Sequence, residues 1–294
     1  MEKTSFFHEQ GKNKLKSTLL AFSVFFFILA LGYLMGAAFA PGIAIPITLF
    51  SLIFSLGYTW YTYSHSAEIV LKSVNARPAN RAEFLHLNNV VEGLALAAGI
   101  PTPKIYVMES NELNAFATGK DPQHAVICVT TGLLKTLNKE ELEGVIAHEM
   151  SHIGNYDVRF MTLIAAMVGV VAIMSEIFIR GLFHGGGDRG KGHVVLIVVG
   201  LLLAIIAPFV TRMIQLSVSR KREFLADATG AQLTRYPEGL ASALEKIGKT
   251  NKGNMQVSEA VSHFFIADPV KSHLDSFFAT HPPIQERIKI LRSM

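Results

Sequence analysis

Cysteine is all but absent: Cys128 is the only one in 294 residues. No disulfide can form within the chain, which fits a reducing compartment and excludes a disulfide-stapled fold. A Cys-rich structural metal site is excluded as well. Cys128 lies in an apolar, strand-like run and reads as core rather than nucleophile. Charge is also scarce, at 17% of residues against 50% hydrophobic. That balance belongs to membrane proteins more than to soluble domains. From Ser17 to Ala67, 51 residues, there is no Lys, Arg, Asp or Glu. There is no internal repeat, and low complexity is confined to Gly185-Gly186-Gly187. Nothing resembles a nucleic-acid module, so no nucleic-acid partner is expected; the net charge of +4 has another explanation, given below.

The uncharged run can hold two membrane spans of about 20 residues each. Pro41-Gly42 divides it into a helical hairpin, Ser17–Ala38 and Ile43–Tyr63. Tyr58, Trp60, Tyr61 and Tyr63 end the second span as an interfacial aromatic belt. Two further apolar runs follow. Phe160–Ile179 carries one charge, Glu176, near its end and within reach of Arg180, and His193–Thr211 carries none. A cleavable leader is not expected, because the first run is long and lacks a persuasive cleavage site. The fold class expected is an α-helical integral membrane protein with four transmembrane helices and the lipid bilayer as partner. Lys3, Lys12, Lys14 and Lys16 precede the first span. Lys72, Arg77 and Arg81 follow the second, and Arg212, Arg220, Lys221 and Arg222 follow the fourth. The excess of positive charge on inner loops then places both termini and the soluble part in the cytoplasm. Four segments result: a tail and hairpin (1–67), a first soluble part (68–158), a second hairpin (159–211) and a second soluble part (212–294).

The first soluble part contains His148-Glu149-Met150-Ser151-His152, an instance of H-E-x-x-H. Residues four apart share a helix face, so both imidazoles can reach one zinc ion. Glu149 stands beside them as base toward an activated water. The flanks favour a helix. Asn138 is a good N-cap, Glu141 completes a capping-box pattern, and Leu142, Val145, Ile146, Met150 and Ile153 form an apolar face. An amphipathic helix with two surface histidines would leave Glu149 without a role.

A peptidase zinc takes three protein ligands and keeps a fourth position open. The third is sought in Ser219-Arg220-Lys221-Arg222-Glu223-Phe224-Leu225-Ala226-Asp227. Glu223 and Asp227 are four apart: Glu223 is the ligand candidate, and Asp227 the acceptor for a histidine's outer nitrogen. The competing reading is a solvated charged turn with Arg220 paired to Glu223. Two spans separate His152 from Glu223, and an even number returns the chain to the same side.

Elsewhere, Ala79–Ala98 has a helical apolar pattern, Lys104–Met108 and His124–Val129 read as strands, and Pro237–Ile247 reads as a helix. Asn114, Ala115, Phe116 and Ala117 form a short strand before the turn at Gly119. They are the candidate substrate-binding residues, since an edge strand near the metal can pair with an extended peptide backbone. A simple hairpin strand is an equal alternative. His281, in Thr280-His281-Pro282-Pro283, is a candidate oxyanion stabiliser, although a histidine before proline is more often a turn residue.

In order along the chain, the first apolar hairpin, NAFATG, HEMSH, two further apolar runs, SRKREFLAD and THPP resemble the HtpX-type membrane zinc metallopeptidases of bacteria, relatives of the CaaX prenyl proteases. The resemblance covers nearly the whole chain. It implies an α+β gluzincin-like peptidase domain, one zinc per chain held by His148, His152 and Glu223, and Glu149 as general base. It further implies a site facing the cytoplasm at the inner membrane, polypeptide substrates that are unfolded or membrane proteins, and a role in quality control. Three other readings are weaker. A membrane adaptor with a structural zinc would want cysteines, a transporter would want polar groups inside its spans, and a prenyl-protein protease would want more spans.

Overall fold

The computed structural model describes residues 41–184, 220–255, 257, 259–262, 264–269 and 282–294, together with Phe22, Phe25, Phe26, Leu29, Ala30, Gly32 and Tyr33. The chain divides into two compact units. One comprises residues 1–63 and 163–215, and the other comprises residues 64–162 and 216–294.

The first unit is helical wherever it is described. The seven residues described before position 41 are helical, and α1 spans Ala44–Ser64 after a single 3-10 turn. Among the described residues α1 is the one helix long and apolar enough to cross a membrane, with mean hydropathy 1.3 over its best window. Its 21 residues reach about 32 Å, the thickness of a bilayer core. Ile45, Phe50, Ile53 and Trp60 point outward with most of their surface exposed. Water would penalise such a surface, whereas lipid would not. Two of its hydroxyls bond within the helix: Thr48 and Ser55 donate to the carbonyls of Ala44 and Ser51. Small residues permit close packing inside this unit. A Cβ on Gly32 would stand 2.9 Å from that of Ser51, and one on Gly169 would stand 3.1 Å from the Tyr58 hydroxyl. The third apolar run is helical throughout; the helix that contains it runs from Asp157 to His184, and Glu176 pairs with Arg180 on it. The fourth run, His193–Thr211, lies outside the described residues.

The second unit is α+β. It begins with α2 (Ser66–Ser73), β1 (Arg77–Pro78), α3 (Leu85–Ala98), β2 (Lys104–Met108), β3 (Ala115–Thr118) and β4 (Val126–Thr130). Next come α4 (Thr131–Thr136), α5 (Lys139–Gly154) and the start of α6 (Asp157–His184). It resumes with α7 (Arg220–Thr234), α8 (Pro237–Thr250), α9 (Glu259–Ser262) and α10 (Ile284–Leu291). The sheet order is β1-β2-β4-β3; β2 and β4 are parallel, and the other two pairings are antiparallel. All five residues of β4 are buried, as befits an apolar strand covered on both faces. Cys128 lies there, fully buried, and burial pushes its thiol pKa up.

Two sequence expectations shift at their edges. The helix expected from Ala79 starts at Leu85, because Ala79 donates to Ile105 of β2 and prolongs the sheet edge. The strand expected from His124 starts at Val126, because Asp121 caps a 3-10 turn over Pro122–His124 through the His124 N–H. The centre of the unit is α5, packed against the sheet, α3, α7 and α8. Its Val145 and Ile146 are fully buried with Leu244 and Ile247 of α8, each burial contributing about 1.5–3 kcal/mol. α5 and α8 meet backbone to backbone at Gly144, where a Cβ would stand 2.5 Å from the Leu240 nitrogen.

Candidate metal centre

Helix α5 is fixed before it reaches the candidate metal ligands. Asn138 accepts from the Glu141 N–H, and Glu141 accepts from the Asn138 N–H, both at 2.9 Å, so the capping box is complete. Lys246 of α8 clamps the same carboxylate at 2.7 Å. About two turns further on, His148, Glu149 and His152 all face the interior, at 1%, 1% and 7% exposure. The two imidazoles meet edge to face with centroids 4.7 Å apart.

Helix α7 crosses close to α5 because its residues there are small: a Cβ on Gly230 would come within 3.0 Å of the His148 nitrogen. The same helix carries Glu223 and Asp227, at 0% and 1% exposure. Glu223 is therefore not the member of a solvated charged turn. Its carboxylate lies 3.7 Å from His148 Nε2 and 3.4 Å from His152 Nε2, and the two Nε2 atoms are 3.2 Å apart. Ligand atoms held about 2.0–2.1 Å from a tetrahedral zinc sit about 3.3–3.4 Å from one another, so the three donors fit one such ion.

The outer nitrogens strengthen that fit. His148 Nδ1 lies 2.9 Å from Asp227 Oδ1, and His152 Nδ1 lies 3.2 Å from Asp157 Oδ2. Each Nδ1–H donates to its carboxylate, which leaves both Nε2 lone pairs directed at one point. Two lone pairs and a carboxylate converging in a buried space repel one another unless a cation sits among them. Without the metal, a proton on His152 takes the place of that cation. Burial lowers the His152 pKa, but Asp157, Glu223 and Glu149 outweigh it and raise it to about 9. Burial also dominates at His148, whose pKa falls despite Asp227. Asp227 would be raised by burial, but Arg287 and His148 bring it to about 2.

Three charged residues at the centre were not singled out by the sequence patterns. Asp157 stands at the start of α6, five residues past His152. Arg222 was counted with the inner-face positive charges, yet it is 4% exposed, lies over the Phe160 ring at 4.2 Å and faces Asp157 at 3.5 Å. Arg287 of α10 is fully buried. Its Nε and Nη2 donate to the two oxygens of Asp227 at 2.8 and 2.7 Å, and Nη1 lies 3.7 Å from Glu223. The expected substrate residues are all buried. Ala115, Phe116 and Ala117 are in β3, the end strand of the sheet, while Asn114 stands just before it. His281 lies outside the described residues.

A His-Glu-x-x-His helix beside a glutamate of a second helix that could complete a metal site, set in an α+β unit, is the arrangement of a zinc metallopeptidase. Comparison with known proteins is consistent with this. The family model for peptidase family M48 matches residues 81–294. A protease HtpX homolog of Caldanaerobacter subterraneus subsp. tengcongensis is 47% identical over 300 residues, covering 100% of this chain and 99% of its own. Homologs of the same name from Dictyoglomus turgidum and Streptococcus uberis are 45% and 37% identical, covering 100% and 98% of this chain and 96% and 99% of their own. The crystal structure of S. mikatae Ste24p is similar in fold, with a TM-score of 0.51 at 21% identity; the match covers 96% of this chain and 66% of that one. The chain belongs to peptidase family M48, and it is a membrane protein.

Proposed function

We propose that the chain is a membrane endopeptidase that hydrolyses unfolded or membrane-derived polypeptides at a zinc centre facing the cytoplasm, in protein quality control. The observation that carries this reading is the convergence of His148 Nε2, His152 Nε2 and the Glu223 carboxylate on one buried point, with Glu149 next in sequence to the first of them. His148, His152 and Glu223 hold the metal. Zinc, when bound, supplies Lewis acidity toward water and toward a carbonyl. Glu149 takes the proton from the attacking water and returns it to the leaving amine nitrogen. Asp227 and Asp157 keep the two imidazoles in the tautomer that presents Nε2. Asn114, Ala115, Phe116 and Ala117 align an extended substrate backbone. For His281, oxyanion stabilisation is proposed on the sequence alone.

The chain is laid out as a membrane hairpin (1–67), a first peptidase segment (68–158), a second hairpin (159–211) and a second peptidase segment (212–294). With four spans, both peptidase segments emerge on the cytoplasmic side. The deciding experiment compares the parent with Glu149→Gln in detergent, with zinc content and casein cleavage measured on each. About one zinc per chain in both proteins and cleavage by the parent alone is the expected result. A variant that cleaves near the parent rate removes Glu149 from the mechanism, and a folded parent without zinc removes the metal.

A further inference from the structure

An end strand carries a second row of N–H and C=O groups that another chain can pair with. In β3 that row is taken by the chain itself. The Ile266 N–H donates to the Ala115 carbonyl at 2.9 Å, and Phe265 bridges antiparallel to Phe116 with ring centroids 4.8 Å apart. Asn114 grips the next residue by both of its backbone groups: Nδ2 donates to the Ala267 carbonyl at 2.9 Å, and Oδ1 accepts from the Ala267 N–H at 3.3 Å. Arg287 Nη1 donates to the Ile266 carbonyl at 3.1 Å. That guanidinium also reaches to 3.7 Å from Glu223 and 3.5 Å from the His148 ring nitrogens. The segment therefore lies one side chain away from the zinc ligands. Each of these four hydrogen bonds ends on a backbone atom of the segment, the manner in which a sheet edge holds a peptide of any sequence. Phe264, Phe265, Ile266 and Ala267 are all buried in the process.

We propose that Phe264–Ala267 is a built-in occupant of the substrate groove, a latch in cis that must leave before an extended peptide can pair with β3. The proposal rests on β3 being the substrate strand of the zinc peptidase. Asn114, Ala115 and Arg287 then form the clamp that latch and substrate contest. A competitor tethered in this way lowers the fraction of enzyme open to substrate, so it raises KM and leaves kcat unchanged.

Ile266→Pro deletes the donor to Ala115 while leaving the groove's own residues in place. Losing one neutral backbone hydrogen bond shifts such an equilibrium by about fivefold. In the full chain in detergent, casein KM should fall about fivefold with kcat unchanged. An unchanged or raised KM in a zinc-loaded variant overturns the latch. If Ile266→Pro does not hold zinc, a second protein decides: Phe116→Cys with Phe265→Cys in a Cys128→Ala background, Cys128 being the β4 partner of Phe116. Antiparallel partners have Cα atoms about 4.5–5.5 Å apart, within the span of a disulfide. Cleavage lost on oxidation and regained on reduction supports the latch, and equal cleavage in both states makes the segment a permanent strand of the sheet. A zinc-loaded parent and a zinc-loaded Ile266→Pro that both cleave nothing overturn the peptidase reading itself, and the latch with it.

Discussion

Asp227→Asn keeps the shape of the side chain and removes its charge, which isolates what that charge does. Asp227 accepts from Arg287 Nε and Nη2 at 2.8 and 2.7 Å, and from His148 Nδ1 at 2.9 Å. Arg287 has no exposed surface, so its charge cannot turn to water when its partner is lost. Removing one partner of a buried ion pair costs about 3–5 kcal/mol. Glu223, 3.7 Å from Nη1, retains part of the compensation, which puts the expectation near the lower figure, about 3 kcal/mol. For a unit of about 180 residues each kcal/mol moves Tm by about 2–4 °C, so Tm should fall by about 6–12 °C. Arg287→Met should cost a similar amount by stranding Asp227. The double variant carries neither buried charge and should cost less than the sum, with a coupling of about 2 kcal/mol. Zinc affinity should separate the two singles. Asp227→Asn weakens it about 10–100-fold through His148, and Arg287→Met weakens it less. Thermal unfolding of the four proteins in detergent, with zinc affinity from chelator competition, completes the cycle. Single shifts under 2 °C, additive in the double, would refute the reasoning.

Zinc binding should release a proton. His152 is charged below about pH 9 in the zinc-free protein, and a ligand histidine must be neutral. Affinity should therefore fall about tenfold per pH unit below about 9, and calorimetric heats at pH 7 should vary with buffer ionisation enthalpy. By the same shift, His152 stabilises the zinc-free fold fully below its ordinary value of 6.5, and this contribution is lost as pH rises through about 9. Buffer-independent heats at pH 7 contradict this. Gly144→Ala should destabilise by about 1–3 kcal/mol, because its Cβ meets the Leu240 backbone. Gly93→Ala, in α3 with nothing within 4 Å of the new methyl, should stabilise by up to about 1 kcal/mol. Thermal shifts of the same sign at both positions would contradict the packing argument.

The helix bearing HEMSH is legible in the sequence because everything that sets it is local: a cap, a capping-box glutamate three residues on, and an apolar face at helical spacing. Glu223 and Asp227 are legible as a pair for the same reason, being four apart on one helix. Asp157 is harder to read. It stands five residues past His152, beyond the end of α5, where no periodicity links the two. Arg222 is misread and Arg287 passed over, since arginine is usually solvated and only tertiary packing reveals which guanidinium is enclosed. The parallel pairing of β2 with β4 and the seating of residues 265–267 on β3 are contacts between distant segments, and composition carries no trace of them. The start of α3 moved for a related reason: Ala79 has helical apolar spacing but is claimed by Ile105 across the sheet.

His148 and Arg287 are 139 residues apart in sequence and touch in the folded unit. At about 5–20 residues per second, a ribosome needs about 7–28 s to travel from one to the other. During that interval the HEMSH helix can form, since its cap and core face lie within it, but Asp227 has no guanidinium to hold it. The order of synthesis therefore makes a competent zinc centre a late event in the life of the nascent chain. A peptidase assembled this way is inert while its own unfolded segments are the nearest substrates.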